Sequence, residues 1–172
     1  NPRVEDIPEQ YGVRLGNIRL LVMGHIPKAR GGCACPENIF VRELVSHALL
    51  QNEEVVIMDM EAGIEHLGRG TAEGVEAMLI VVEPSAQSIE TARRIQRLAS
   101  DLGVKKVFAV ANKIENDSDM QAIKRALPDI QVMISLEWSE DLRGNSFKGK
   151  GVELSNGLRE RMNMIMKLIA DI

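Results

Sequence analysis

Aromatic residues are scarce. Phe, Trp and Tyr make up 3% of the 172 residues, so a core has to be assembled from Val, Ile, Leu, Met and Ala. That is the make-up of a buried parallel sheet covered by helices. Cysteine is limited to Cys33 and Cys35, with a single residue between them. A secreted disulfide scaffold carries more cysteines, spread further along the chain. No apolar run reaches the ~18 residues that would indicate a membrane span, and no signal peptide is visible. Positive charge is not in excess: 21 Lys and Arg stand against 25 Asp and Glu, for a net charge of −4. A general binder of nucleic acid or anionic membrane would be basic. The cytoplasm is therefore the expected compartment, with neither nucleic acid nor membrane as a partner. What is present is ordinary globular composition, 45% hydrophobic and 27% charged, in a chain long enough for a sizeable core.

Apolar runs alternate with helical periodicity. Ile18–Gly24 and Val55–Met60 read as buried strands, as do Met78–Glu83, Lys106–Asn112 and Ile130–Ser135. Pro36–Gln51 reads as a helix, with Pro36 at the first position, where its missing N–H is harmless. Ser88–Gly103 reads as an amphipathic helix. Ile89, Ala92, Ile95, Leu98, Ala99 and Leu102 lie on one side, Arg93, Arg94 and Arg97 on a solvated one, and Gly103 is placed to end it. A short helix over Ser118–Ala126 and a Met-rich helix over Asn156–Ala170 complete the pattern. Met162, Met164 and Met166 alternate, so they form no single helical stripe and read as core filler and surface. This alternation predicts an α/β fold, a mostly parallel sheet with helices on both faces. No internal repeat or dividing linker is visible, so residues 1–172 read as a single α/β domain.

A chain of this class invites a search for the phosphate loop G-x-x-x-x-G-K-[ST], whose backbone N–H groups cradle phosphates and whose hydroxyl ligates magnesium. The nearest match is Gly144–Gly151, GNSFKGKG, but Gly151 stands where the hydroxyl residue is needed and no strand leads into it. It reads as an exposed loop. Gly68, Gly70 and Gly74 have the wrong spacing for a dinucleotide fingerprint and lie beyond the end of their strand.

Asp59 closes the run Val55–Met60, and Gly63 follows four residues later. In nucleotide-binding α/β proteins an Asp at such a strand end can hold the magnesium shell, and a nearby Gly lets a backbone N–H sense the terminal phosphate. An Asp in this place also serves as a helix cap or a solvated turn. The longer stretch is more specific. DMEAGIEHLGRGT (Asp59–Thr71) is preceded by GGCACPEN (Gly31–Asn38) and followed by VVEPS (Val81–Ser85) and ANK (Ala111–Lys113). Together these segments resemble the carbon monoxide dehydrogenase maturation ATPases, nickel-insertion members of the deviant-Walker group that includes the septum-site-determining ATPases and the nitrogenase iron protein. The resemblance is strong from Asn1 to Glu115 and weaker beyond.

The resemblance implies a fold like that of the P-loop NTPases. The chain is expected to be the C-terminal two-thirds of a larger nucleotide-binding domain, without its first strand and phosphate loop. Asp59 then holds the magnesium-bound water network and Gly63 lies in the switch that responds to the terminal phosphate. Asn112 hydrogen-bonds the adenine edge, with Lys113 packed beside it. ATP and magnesium are expected as cofactors of the full-length protein, and this chain alone is not expected to hydrolyse ATP. An empty slot for the first strand would expose strand edges, leading to poor monomer behaviour, a rearranged sheet or complementation by the missing segment.

Cys33 and Cys35 sit just before Pro36, at a predicted helix N-terminus that favours thiolates. A disulfide across one residue is strained, so the pair is better placed to ligate a metal or to pair between chains. Two thiolates leave a tetrahedral metal half coordinated, and a twofold dimer supplies four. The resemblance implies this arrangement, with nickel or zinc held between two subunits; tetrahedral and square-planar geometries stay open. The bland alternative is two incidental thiols at a helix start. By spacing, His66 falls near where the iron protein carries its second cluster cysteine, so it either faces the same interface as an accessory ligand or coupling element, or caps a turn or pairs with Glu65. His25 and His47 have no ligand spacing.

The expected function is thus a nucleotide-driven metallochaperone, a homodimer delivering nickel to an enzyme such as carbon monoxide dehydrogenase. The alternative is a stand-alone metal-binding or dimerisation module without ATPase activity. A partition ATPase of the same group is disfavoured by the few basic residues of the last helix.

Overall fold

The structure, a computed structural model, describes residues 7–22, 43–44, 55–60, 75–140, 143–144 and 155–170. The chain divides into two units, Asn1–Gly74 and Val75–Ile172.

In the second unit three parallel strands are laid side by side in chain order: β3 (Ala77–Val82), β4 (Lys106–Ile114) and β5 (Gln131–Glu137). Each crossover is a helix. The first, Ala86–Asp101 (α2), joins β3 to β4, and the second, Asp117–Ala126 (α3), joins β4 to β5. Both are set by local chemistry. Ser85 opens α2, its Oγ accepting the Ser88 N–H at 3.2 Å. Gly103, at φ +78, ends it: the Gly103 N–H reaches the Ser100 carbonyl at 3.0 Å, and the Val104 N–H reaches that of Ala99 at 2.9 Å. These are the paired bonds of a glycine-terminated helix, with Val104 and Ala99 both buried beneath them. Asn116 opens α3 through a reciprocal capping box with Asp119. Acidic Asp117 and Asp119 in its first turn and basic Lys124 and Arg125 in its last complement the helix dipole.

The two crossover helices share one face of the sheet. Ala92 of α2 and Ile123 of α3 lie in the same buried cluster as Ile80 and Val82 of β3, and Ala109, Ala111 and Ile114 of β4. Two successive right-handed crossovers that step the same way across a sheet place both helices on the same side. Val82 and Ile123 are fully buried, each contributing about 1.5–3 kcal/mol from removal of apolar surface. The Arg93 guanidinium donates to the Ala126 carbonyl at 2.9 Å and the Gln96 amide to that of Asp129 at 3.3 Å. Arg93, expected on a solvated face, thus satisfies an end carbonyl of the neighbouring helix. A last helix, α4 (Asn156–Ala170), follows β5 and is tied to it by Arg161, which donates to the Ser135 carbonyl and pairs with Glu137. Ile165 of α4 is buried while Met164 and Met166 are exposed, in keeping with a mixed core and surface role for its methionines.

In the first unit a short helix α1 (Ile7–Tyr11) precedes an antiparallel hairpin of β1 (Val13–Leu15) and β2 (Ile18–Leu20). Gly16 turns the chain at φ +61, as the first central position of a two-residue hairpin of type II′ requires. Of the buried strand expected over Ile18–Gly24, residues 23–24 lie outside the described residues and the rest is corrected to a three-residue hairpin arm, with Ile18 67% exposed. Among the described residues no second layer covers this hairpin, and every residue of both strands is exposed. The strand expected over Val55–Met60 is corrected as well. Residues 55–60 form neither helix nor strand, and Ile57 is 73% exposed. A short apolar run becomes a strand only where neighbours take up its N–H and C=O groups, and none of the described residues pairs with it. Of the helix expected over Pro36–Gln51, only Glu43 and Leu44 are described, and both are helical.

Candidate functional site

The central strand ends in a frame shift. Along β4 the side chains of Val107, Ala109 and Ala111 turn toward the buried cluster. Regular alternation would send Lys113 there next. Instead Lys113 takes φ +56, the only positive φ among the described non-glycine residues, and Ile114 enters the cluster in its place. The pairing records the same shift. Ala111 lies opposite Ser135 and Ile114 opposite Glu137, so Asn112 and Lys113 of β4 face a single residue of β5 across a bulge. The left-handed conformation costs a lysine about 1–2 kcal/mol. Burying its unpaired charge would cost several kcal/mol, so the bulge is the cheaper solution.

Lys113 is held where the bulge puts it. Its Nζ lies 2.6 Å from Oε1 of Glu83, the first residue after β3. The same Nζ stands 6.0 Å from the ring centroid of Trp138, the first residue after β5. The Trp138 backbone N–H donates to the Ile114 carbonyl at 3.1 Å, continuing the ladder past the bulge. Glu83 is itself fixed: its N–H donates to Ser88 Oγ at 2.9 Å and its carbonyl accepts the Ser85 N–H at 2.7 Å. The ion pair is nearly half exposed on both sides, worth about 0–1 kcal/mol. The cation–π contact adds about 0.5–1 kcal/mol at an exposed position. Together they roughly offset the conformational cost at Lys113.

These residues sit at the carboxyl ends of three adjacent parallel strands, the edge at which open α/β sheets receive ligands. Asn112 is half-buried there, next to Lys113. The structure thus joins the two motifs VVEPS and ANK, which are some thirty residues apart in the chain, through the Glu83–Lys113 pair. Glu83 and Trp138 were not singled out by sequence reasoning. The signal for them was a strand-end acid and the chain's single tryptophan, immediately after the last strand. Asp59 lies in the first unit, exposed, on no strand. Cys33, Cys35, Gly63 and His66 lie outside the described residues. An open groove of about 460 Å³ runs between α2 and the end of α3, rimmed by Arg93, Gln96, Arg97 and Arg125. It belongs to the helical layer and not to the strand-end cluster.

No protein-family model matches the chain. Over 172 residues it is 39% identical to an ATP-binding protein of Methanocaldococcus jannaschii, an alignment covering 98% of this chain and 66% of that protein. It is also 39% identical to the carbon monoxide dehydrogenase accessory protein CooC of Rhodospirillum rubrum, over 99% of this chain and 65% of that one. A second ATP-binding protein of M. jannaschii is 37% identical over 115 residues, 67% of this chain and 46% of its own length. The chain spans just under two thirds of the length of the first two relatives. With this identity sustained along almost its whole length, and with a parallel α/β sheet carrying VVEPS and ANK at its carboxyl edge, the chain belongs to the family of the accessory protein CooC and its ATP-binding relatives.

Proposed function

We propose that the chain forms the nucleotide-responsive, metal-holding part of an ATP-dependent accessory protein that inserts nickel into carbon monoxide dehydrogenase. The observation that carries this reading is the strand-end cluster of Glu83, Asn112, Lys113 and Trp138 in a chain akin to ATP-binding proteins and to a carbon monoxide dehydrogenase accessory protein. The Asn112 amide offers one donor and one acceptor group, the complement of an adenine edge. Lys113 packs beside the base. Asp59 supplies the hard carboxylate that magnesium and its waters require, and Gly63 supplies the backbone N–H that meets the terminal phosphate.

Cys33 and Cys35 from two subunits give four thiolates to one nickel or zinc ion at the twofold axis. ATP favours the closed dimer, and loss of the terminal phosphate relaxes the Asp59–Gly63 segment and the grip on the metal. The recipient is a nickel enzyme in the cytoplasm.

Trp138 is the single tryptophan, so its emission reports on the cluster directly. Titration with magnesium-ATP is expected to give a saturable change in that emission, lost in Asn112→Ala. A titration without saturable change in the unsubstituted chain contradicts the nucleotide reading.

A further inference from the structure

Lys113 is bound from both sides, and the residues that bind it come from the two flanking strand ends. Glu83 holds its ammonium at 2.6 Å, and the Trp138 ring stands 6.0 Å beneath it. The backbone N–H of Glu83 donates to the Ser88 hydroxyl and that of Trp138 to the Ile114 carbonyl, which fixes where both side chains start. Between them lies the one described non-glycine residue with a positive φ. Asn112 directly precedes that residue within the bulge, so the rotation fixed at Lys113 decides how the strand leaves the sheet just after Asn112. A bulge beside a binding residue commonly re-aims its side chain.

We propose that Glu83 and Trp138 are positioning residues of the nucleotide site. They clamp Lys113 in its left-handed conformation and thereby present the Asn112 amide to the base. The inference rests on the nucleotide reading above. Neither residue has to touch the ligand. Glu83 acts through its ion pair with Lys113, and Trp138 acts through its ring beneath the Lys113 ammonium. The ligand class is a purine nucleoside or nucleotide, recognised at the base and not at the phosphates. Free adenosine is therefore the appropriate probe.

Adenosine binding to the full chain is measured by calorimetry for the unsubstituted protein, Glu83→Gln, Lys113→Gly and the double variant. Glu83→Gln is expected to weaken binding by about fivefold, the scale of one misdirected hydrogen bond. Glycine adopts the left-handed conformation without a clamp, so Glu83→Gln is expected to have no further effect in the Lys113→Gly background. That non-additivity separates positioning from a general loss of stability, which would persist in both backgrounds. Equal effects in the two backgrounds, or full affinity in Glu83→Gln alone, overturn the clamp while leaving the nucleotide reading intact. An unsubstituted chain that binds neither adenosine nor ATP overturns both.

Discussion

At Lys113 a charged side chain due to enter the core is diverted to the surface by one residue of left-handed backbone, and the frame is restored with Ile114. The side chain at 113 and the conformation at 113 can be tested apart. A β-branched residue is worst suited to this conformation and glycine best, so Lys113→Val is expected to be less stable than Lys113→Gly by about 1–2 kcal/mol in urea unfolding. Equal stability would mean that the bulge relaxes when the lysine is removed. The motif ANK identifies Asn112 and Lys113 without any structure, because the residues are contiguous in the chain. Glu83 and Trp138 stay hidden, because their nearness to Lys113 depends on the register of β4 against both neighbours. Nothing in the linear spacing of Glu83, Lys113 and Trp138 encodes that register.

The elements of the second unit follow from short-range chemistry. Ser85 and Asn116 start their helices, Gly103 stops one, and apolar runs between them fill strands with a neighbour on at least one side. Asn116→Ala removes the side-chain half of a capping box, the Oδ1 that accepts the Asp119 N–H, on a ten-residue helix whose Ile123 is fully buried. It is expected to cost about 1–2 kcal/mol of stability in chemical denaturation. A cost near zero would show that packing of Ile123 alone holds α3. The strands β3, β4 and β5 lie close to where periodicity puts them, with β4 and β5 each reaching two residues further than expected. Residues 18–22 and Val55–Met60 are equally apolar yet form no buried strand. An apolar run states that a segment can be buried, whereas burial as a strand also requires partners for its backbone, and those are a property of the sheet.

At the scale of the whole molecule, family membership rests on identity along nearly the entire chain, while the chain covers just under two thirds of those relatives. The proposed working unit is a pair of chains joined through Cys33 and Cys35, with nucleotide closing the pair and its hydrolysis loosening the grip on metal. The metal is then a ligand of the dimer, and dimerisation and metal binding are linked equilibria: each strengthens the other. Zinc or nickel titration followed by sedimentation, on the full chain and on a Cys33→Ser/Cys35→Ser variant, tests this most directly. The account predicts one metal per two chains, a metal-dependent shift from monomer to dimer, and loss of both in the variant. Metal binding that survives the substitutions, or a chain whose association ignores metal, would contradict it.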